Sequence, residues 1–420
     1  MIDRVPRFLV SGLLHPRVRR GRLEIREGGN LHAFGPADGV PLARVEAASP
    51  RFWRALLRGS LGLAESYRDG IWTTPDLVAV VRVAALNAHE IDAVRERFGF
   101  LLRPLKQITR RVNLPTISRS RRQIAAHYDL GNDLFGLFLD ETMMYSCALF
   151  ESPSATLHEA SVAKLEHVCT KLALGPDDHL LEIGTGWGGM ALHAASRFGC
   201  RVTTTTISRE QHDFAVERIR AAGLEDRVTV LMQDYRELEG KFDKLVSIEM
   251  VEAVGWQYFD AFFAKCSDLL APEGVMLLQA ITMDDRAYEA EKNSKSFINT
   301  YIFPGGCLPS LGAISSSVAR RTDLRHVHLE DISGHYAETL RRWRERFEAN
   351  AARAAELGYD EPFRRMWEFY FSYCEAGFLE RRIADVQLML AKPEFRAEPL
   401  LPLGLGEMDV EGDDAERAAA

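Results

Sequence analysis

The chain has 420 residues, of which 46% are hydrophobic and 27% charged, a length that predicts two or three domains and a core large enough to need no disulfide staples. This composition excludes a dominantly disordered chain, a collagen-like repeat and a disulfide scaffold. Lys and Arg number 52 against 60 Asp and Glu, and a net charge of −8 argues against a dedicated nucleic-acid binder.

The opening MIDRVPRFLVSGLLHPRVRR has an apolar run too short and interrupted for a signal sequence or a membrane span. Gly21–Phe34 alternates apolar and polar residues and reads as a hairpin turning at Gly28-Gly29. Pro50–Leu63 reads as one helix, and a second starts at Pro75-Asp76. Together, residues 1–100 form a small α+β unit. Residues 103–122 then carry seven Lys and Arg and no acid. That stretch reads either as a solvated linker, assigned to 101–122, or as a surface for anionic lipid head groups.

From about Leu157 helices alternate with short apolar strands. LEHVCTKLALG, GGMALHAASRFG and EQHDFAVERIRAAG are helical; HLLEIGTG, RVTTTTIS, RVTVLMQD, FDKLVSIEM and GVMLLQAIT are strands. The alternation predicts an α/β fold with a mainly parallel, doubly wound sheet. Tyr336–Leu390 reads as mainly helical, and the acidic end from 396 to 420 as disordered. The six cysteines, Cys147, Cys169, Cys200, Cys266, Cys307 and Cys374, form no C-x-x-C pair and fit no zinc spacing. Without a signal sequence they read as thiols of a reducing, cytoplasmic compartment, and no metal site is expected.

The run Glu182-Ile183-Gly184-Thr185-Gly186-Trp187-Gly188-Gly189 leaves a predicted strand and opens a helix. Its G-x-G-x-G-G spacing, with an acid two residues before the first glycine, departs from the dinucleotide fingerprint G-x-G-x-x-G. It is the pattern of S-adenosylmethionine (SAM) methyltransferases, in which the loop cradles the amino-acid part and the ribose. Asp234, after the third strand, reads as an adenine contact with Tyr235 stacking beside it, or as a helix N-cap. At the end of the second strand Thr205-Thr206-Ile207-Ser208 and Gln211 stand where an acid for the ribose is usual.

Several further segments occur in order. They are AHYDLGNDLFGLFLDETMMYSCALF (126–150), LLEIGTGWGG (180–189), TISREQ (206–211), LMQDYREL (231–238), SIEMVEAVG (247–255), YIFPGGCLPS (301–310), HYAETLRRW (335–343) and FYFSYCEAGFLERRIADVQLML (369–390). On these the chain resembles the cyclopropane-fatty-acyl-phospholipid synthase family, which includes the mycolic acid cyclopropane synthases. GSLGLAESYRDGIW (59–72) is similar to the accessory domain of that family. The resemblance implies a class I SAM-dependent methyltransferase fold over 123–395, Rossmann-like, behind an N-terminal lipid-engaging domain.

It also implies a chemistry. The SAM methyl is added to a cis double bond of an acyl chain in a membrane phospholipid. The resulting carbocation loses a proton from the new methyl and closes a cyclopropane ring. Such a site has to be apolar and dry, because water would trap the cation. Carried over residue by residue, a bicarbonate base is held by Cys147, Glu252, Tyr336 and the backbone of Ile281. Gln279 stands where many relatives have His, which leaves open a methylene- or methyl-branched product formed by loss of a different proton.

Cys374 takes the position of a cysteine long treated as part of the active site, although the chemistry needs no covalent intermediate. SAM contacts carry over to Tyr145, Ser146, Leu180, Leu181, Glu182, Ile183, Gly184, Thr185, Gly186, Trp187 and Gly188. They continue through Thr206, Ile207, Ser208, Arg209, Glu210 and Gln211 to Asp234, Tyr235 and Arg236, with Tyr128 nearby. Bland readings stand beside these: a cap for Glu252, core packing for His127, packing under the loop for Trp187, and a plain turn for FPGG at 303–306. Glu249 reads as an acid facing the methionine part of SAM. The resemblance further implies a homodimer and peripheral contact with the inner face of the plasma membrane, for which the amphipathic N-terminus and Arg119, Arg121 and Arg122 are the docking residues.

Overall fold

The computed structural model describes residues 4–88, 90 and 131–396. The basic stretch 103–122, His127, Tyr128 and the acidic end beyond Arg396 lie outside the described residues.

Helix α1 (Arg4–Leu14) precedes a four-stranded sheet of β1 (Arg22–Glu27), β2 (Asn30–Phe34), β3 (Leu42–Ala47) and β4 (Trp72–Thr73), in the order β2-β1-β3-β4. The expected hairpin is present: Glu27 pairs with Asn30, and Gly28 and Gly29 turn the chain at φ 50° and 85°. Two positive φ values give the turn the twist that flanking strands require. The single helix expected over 50–63 is instead two, α2 (Arg51–Leu56) and α3 (Gly59–Arg68). Gly59 takes φ 63°, which ends the first helix, and a Cβ on Gly62 would stand 2.1 Å from the Ala55 carbonyl oxygen. The two helices close on each other only because that Cβ is missing. Helix α4 (Leu77–Leu86) starts as expected, with the Asp76 carboxylate accepting from Ala79 N at 2.9 Å.

The second sheet has seven strands: β5 (His179–Ile183), β6 (Arg201–Thr206), β7 (Val228–Met232), β8 (Phe242–Ile248), β9 (Leu270–Met283), β10 (Arg325–Asp331) and β11 (Ile383–Ala391). Their order is β10-β11-β9-β8-β5-β6-β7. Helices α5 (Asn132–Gly136), α6 (Leu157–Lys171), α7 (Gly189–His193), α8 (Arg209–Ala221), α9 (Phe259–Leu269), α10 (Asp285–Glu291) and α11 (Leu311–Arg321) surround it. So do α12 (Ser333–Ala349), α13 (Ala351–Glu356) and α14 (Glu361–Leu379). Strands β5 to β9 pair in parallel, as the alternation predicts. The expected helix to Leu390 is corrected. From Ile383 the chain is a strand, antiparallel to β9 on one side and β10 on the other. Val386–Ala391 is buried on both faces, which suits a central strand and leaves no polar helix face. The strand order reverses at β5, so a crevice opens beyond the carboxyl ends of β5 and β8, where such sheets bind ligands.

One hydrophobic cluster runs from the first sheet into α12 and α14, with Ile281 of β9 and Ile383 of β11 packed against it. Tyr67 of α3 meets Phe369 of α14 with ring centroids 6.0 Å apart. Arg365 lies 4.0 Å over the Tyr67 ring and donates to the carbonyls of Tyr67 (2.7 Å) and Trp72 (3.1 Å). Arg365→Ala removes two charge-assisted hydrogen bonds and a cation–π contact, and is expected to destabilise the chain by about 2–3 kcal/mol. Arg365→Lys recovers little of this, because one ammonium cannot match the planar fork. Denaturant unfolding of the two variants checks both statements.

Candidate active site

The glycine loop is shaped by contacts on three sides. Gly184, Gly186 and Gly188 have φ of 107°, 52° and 83°, in the left-handed region that L side chains avoid. A Cβ on Gly184 would lie 3.2 Å from Met250 Cγ, and one on Gly189 would lie 2.7 Å from Met144 Sδ. Above Gly186 nothing lies within 4 Å, so the loop is wedged at its ends and open in its middle. Gly184 N and Thr185 N both donate to Thr205 O at 3.1 Å. Arg218 of α8 ties the far side, donating to Trp187 O (2.8 Å) and Thr142 O (3.0 Å). Trp187 packs beneath the loop, 4.6 Å from Phe135, and its indole N–H donates to Asn132 Oδ1 at 2.6 Å.

Of the β5 residues, Leu180, Leu181 and Ile183 are buried core. Glu182 is buried as well, with Oε2 lacking a partner among the described residues. Burial pushes its carboxyl up to about 8. Thr206 donates to Gln211 Oε1 at 2.9 Å, and Ser208 caps α8 by accepting from Gln211 N at 3.3 Å. Ile207 is half-buried, and Arg209 and Glu210 are exposed. Asp234 is buried and fills the N-cap reading, accepting from Arg236 N at 3.0 Å, while also pairing with the Arg236 guanidinium at 2.6 Å. Tyr235 sits edge-on to Phe262. An open glycine cradle flanked by an unsatisfied buried acid and a second acid at the β7 end fits SAM. Gly184–Gly188 would hold its amino-acid part and ribose, and Asp234 with Tyr235 its adenine.

A second constellation lies beside the first. Glu249, just past β8, accepts from Cys147 N (2.8 Å) and Gln279 Nε2 (2.8 Å) on Oε1, and from the Tyr336 hydroxyl (2.5 Å) on Oε2. Gln279 also donates to Asp385 Oδ2 at 3.0 Å and accepts from Gln387 at 3.1 Å. Glu252 Oε1 accepts from Ile281 N at 2.5 Å, and its buried Oε2 has no partner among the described residues. The FPGG turn braces this acid from behind, with Cys307 N donating to Glu252 O at 2.8 Å.

Lys164 of α6 is fully buried and donates to Ser146 Oγ at 2.9 Å. Burial holds its ammonium below the usual lysine range, against the opposing pull of Glu249, Cys147, Asp385 and Glu182. Burial raises all three carboxyls: Glu252 to about 8, Glu249 in the same direction, and Asp385 well above its ordinary range. Only Glu249 has several hydrogen-bond donors and the Lys164 charge working against that shift.

Thus the structure brings Cys147, Glu252, Gln279, Ile281 and Tyr336 to one place. It does not bring Cys374 there through any bond; burial pushes that thiol up to about 12. Sequence reasoning missed Asp385 and Lys164, whose only signal was a charge within an apolar strand or helix face. The donors assigned by resemblance to a bicarbonate are already engaged, so they do not fit one as they stand, although Glu252 Oε2 is unpartnered among the described residues. Cys147 N, Gln279 Nε2 and Tyr336 OH already donate to Glu249, and Ile281 N to Glu252. Around the cluster lies an aromatic wall: Tyr336 stacks on Phe378 (4.5 Å), and Tyr145 meets Trp343 (5.3 Å) and hydrogen-bonds Tyr370 hydroxyl to hydroxyl at 2.8 Å.

A seven-stranded sheet with its last strand, β11, reversed and a glycine cradle at the switch point defines a class I SAM-dependent methyltransferase. The chain belongs to the mycolic acid cyclopropane synthetase family, whose model matches residues 116–388. It is 41% identical to the tuberculostearic acid methyltransferase UfaA1 of Mycobacterium tuberculosis over 367 residues, covering 85% of this chain and 84% of that one. It is 38% identical to the cyclopropane-fatty-acyl-phospholipid synthase of Escherichia coli over 364 residues, 86% and 89% of the two chains. The solved mycolic acid cyclopropane synthase CmaA1, complexed with SAH and CTAB, superposes with a TM-score of 0.61 at 32% identity, covering 65% of this chain and 98% of that one.

Two outcomes are expected. Gly184→Ala forces alanine to φ 107° against Met250, and SAH affinity measured by calorimetry falls at least about tenfold. Glu252 is protonated in the folded chain up to about pH 8 but ionises near 4.3 when unfolded, so its stabilising contribution is complete below that lower value and lost as pH rises through the folded one. Relative to wild type, Glu252→Gln therefore gains stability between about pH 5 and pH 8 and no more beyond, read from unfolding midpoints across that range.

Proposed function

We propose that the protein transfers the SAM methyl to the cis double bond of an acyl chain in a membrane phospholipid and closes a cyclopropane ring. The carrying observation is a set of acids and hydroxyls beside a buried aromatic wall next to the glycine cradle. An olefin is a weak nucleophile, and bound SAM supplies the electrophilic methyl. Attack leaves the positive charge on the neighbouring acyl carbon, where the ring faces of Tyr145, Tyr336, Trp343 and Phe303 lower its energy. The same apolar surfaces keep water from capturing it as an alcohol. Because the donors expected for bicarbonate are engaged, no step is routed through that ion.

A route for the acyl chain is supported by a cavity of about 240 Å³ lined by Arg68, Tyr301, Ile302, Pro362, Phe363, Met366 and Trp367. Trp367 is 5.5 Å from Tyr370, whose hydroxyl bonds Tyr145, so one layer of aromatic rings lies between the cavity and the aromatic wall of the site. Contact with the membrane is supported by α1, which exposes Phe8 (79%), Leu9 and Leu13 on one side while burying Val10. No helix among the described residues is long and apolar enough to cross a membrane.

A second reading keeps the transfer and leaves the new carbon as a methylene or methyl branch. It is favoured by Gln279 and by the relative described as a methyltransferase rather than a cyclopropane synthase. Incubation with labelled SAM and vesicles of cis-unsaturated phospholipid, followed by gas chromatography and mass spectrometry, distinguishes the two. The expected product is one methylene heavier and resists mild hydrogenation; a product that hydrogenates to a branch establishes the second reading. Met366→Trp, which fills the cavity, is expected to lower turnover about tenfold while SAH affinity is unchanged.

A further inference from the structure

We propose that the Glu249 carboxylate is the general base of the reaction, taking the proton from the newly added methyl in place of a bound anion. The inference rests on the proposed methyl transfer to an acyl chain and adds the group that completes it. The balance is simple. The methyl–sulfur bond breaks as the methyl–carbon bond forms, and its electron pair stays on sulfur. Glu249 then accepts a proton from that methyl, and the freed C–H pair closes the bond to the cationic carbon.

Three acids are present, and the geometry selects one. Asp385 is wholly covered, behind Gln279. Among the described residues Glu252 has no side-chain donor, and Ile281 N is the one group bonded to its carboxyl. Burial pushes its carboxyl up to about 8, with fewer donors opposing that shift than Glu249 has. Glu249 alone among the three receives three donors from three separate elements, and it is half-buried, as Glu252 is, where Asp385 is fully buried. Those donors and the nearby Lys164 charge favour its ionised form against burial. A carboxylate has about four acceptor sites, and these three bonds leave room for a fourth partner, with the Asp385 carboxyl also within hydrogen-bonding reach of Glu249.

The backbone supplies an independent observation. Glu249 has φ 49°, one of four non-glycine residues in the left-handed region among the described residues. A glycine would take that conformation without strain, so a long acidic side chain is held there at a cost, as is found where a side chain serves a site. The donors assigned by resemblance to bicarbonate thus converge on an acid belonging to the chain itself.

The test uses the full chain, labelled SAM and cis-unsaturated phospholipid vesicles in buffer stripped of carbon dioxide. Wild type is expected to turn over at the same rate, within about twofold, with or without added bicarbonate. Glu249→Gln keeps the shape and loses the base, so lipid labelling falls by about 10²-fold or more, with SAH affinity unchanged. Glu249→Gly, which relaxes the backbone, is expected to be folded and inactive, and to regain activity when formate, acetate or bicarbonate is added, each small enough to enter the space left among Cys147, Gln279 and Tyr336. An active wild type that needs bicarbonate overturns the assignment, as does a Glu249→Gln variant that keeps its rate. A wild type that labels no lipid overturns the methyl transfer itself, and the base with it.

Discussion

One carboxylate joins the elements around the site. Glu249 follows β8 and is held by the backbone of Cys147, by Gln279 of β9 and by Tyr336 of α12. Each bond crosses between segments far apart in the chain, so the acid can be satisfied only when β8, β9, α12 and the loop before α6 are all assembled. A buried acid without such donors would be protonated or expelled. The charge inside the site and the tertiary arrangement around it therefore require each other.

The neighbouring groups follow from the same constraint. Three carboxyls crowd one region with a single buried ammonium, Lys164, that is not within ion-pairing distance of any of them. Mutual repulsion and burial cannot be met with all three ionised, so the environments divide them. Burial pushes all three up, and Glu249 takes most of the donors that oppose it. The aromatic wall of Tyr145, Tyr336, Trp343, Tyr370 and Phe378 strengthens every one of these interactions by excluding water. A site made this way suits a reaction in which charge appears briefly on carbon and must meet neither water nor a mobile ion.

The glycine loop answers a different need. Its ends are pinned by Met250, Met144 and Arg218, so that its middle stays open without being loose. The residue that pins Gly184, Met250, follows Glu249 directly in the chain. Cradle and acid cluster are thus two sides of one turn at the end of β8, and the sheet's switch point sets the distance between a bound cofactor and the acids. The N-terminal sheet is fastened to the same body through Arg365 and the shared core, which places the cavity near Met366 and Trp367 against both parts.

Much of this was legible in the residues. The hairpin at Gly28-Gly29, the parallel strands β5 to β9 and the cradle at Gly184–Gly188 are written in short-range patterns, since turn chemistry, alternation and glycine freedom act over a few residues. The cluster of Cys147, Glu252, Gln279, Ile281 and Tyr336 was reached through ordered segments similar to a known family. What local pattern could not decide was the partner of each group. Ile383–Ala391 became a strand because β9 and β10 lay on either side to receive its hydrogen bonds. Asp385 and Lys164 were ordinary charges until folding covered them. Glu249 was legible in the sequence only as an acid facing the methionine part of SAM. Its role was decided only when tertiary structure aimed three distant donors at it, because hydrogen bonds depend on position in space and not on separation along the chain.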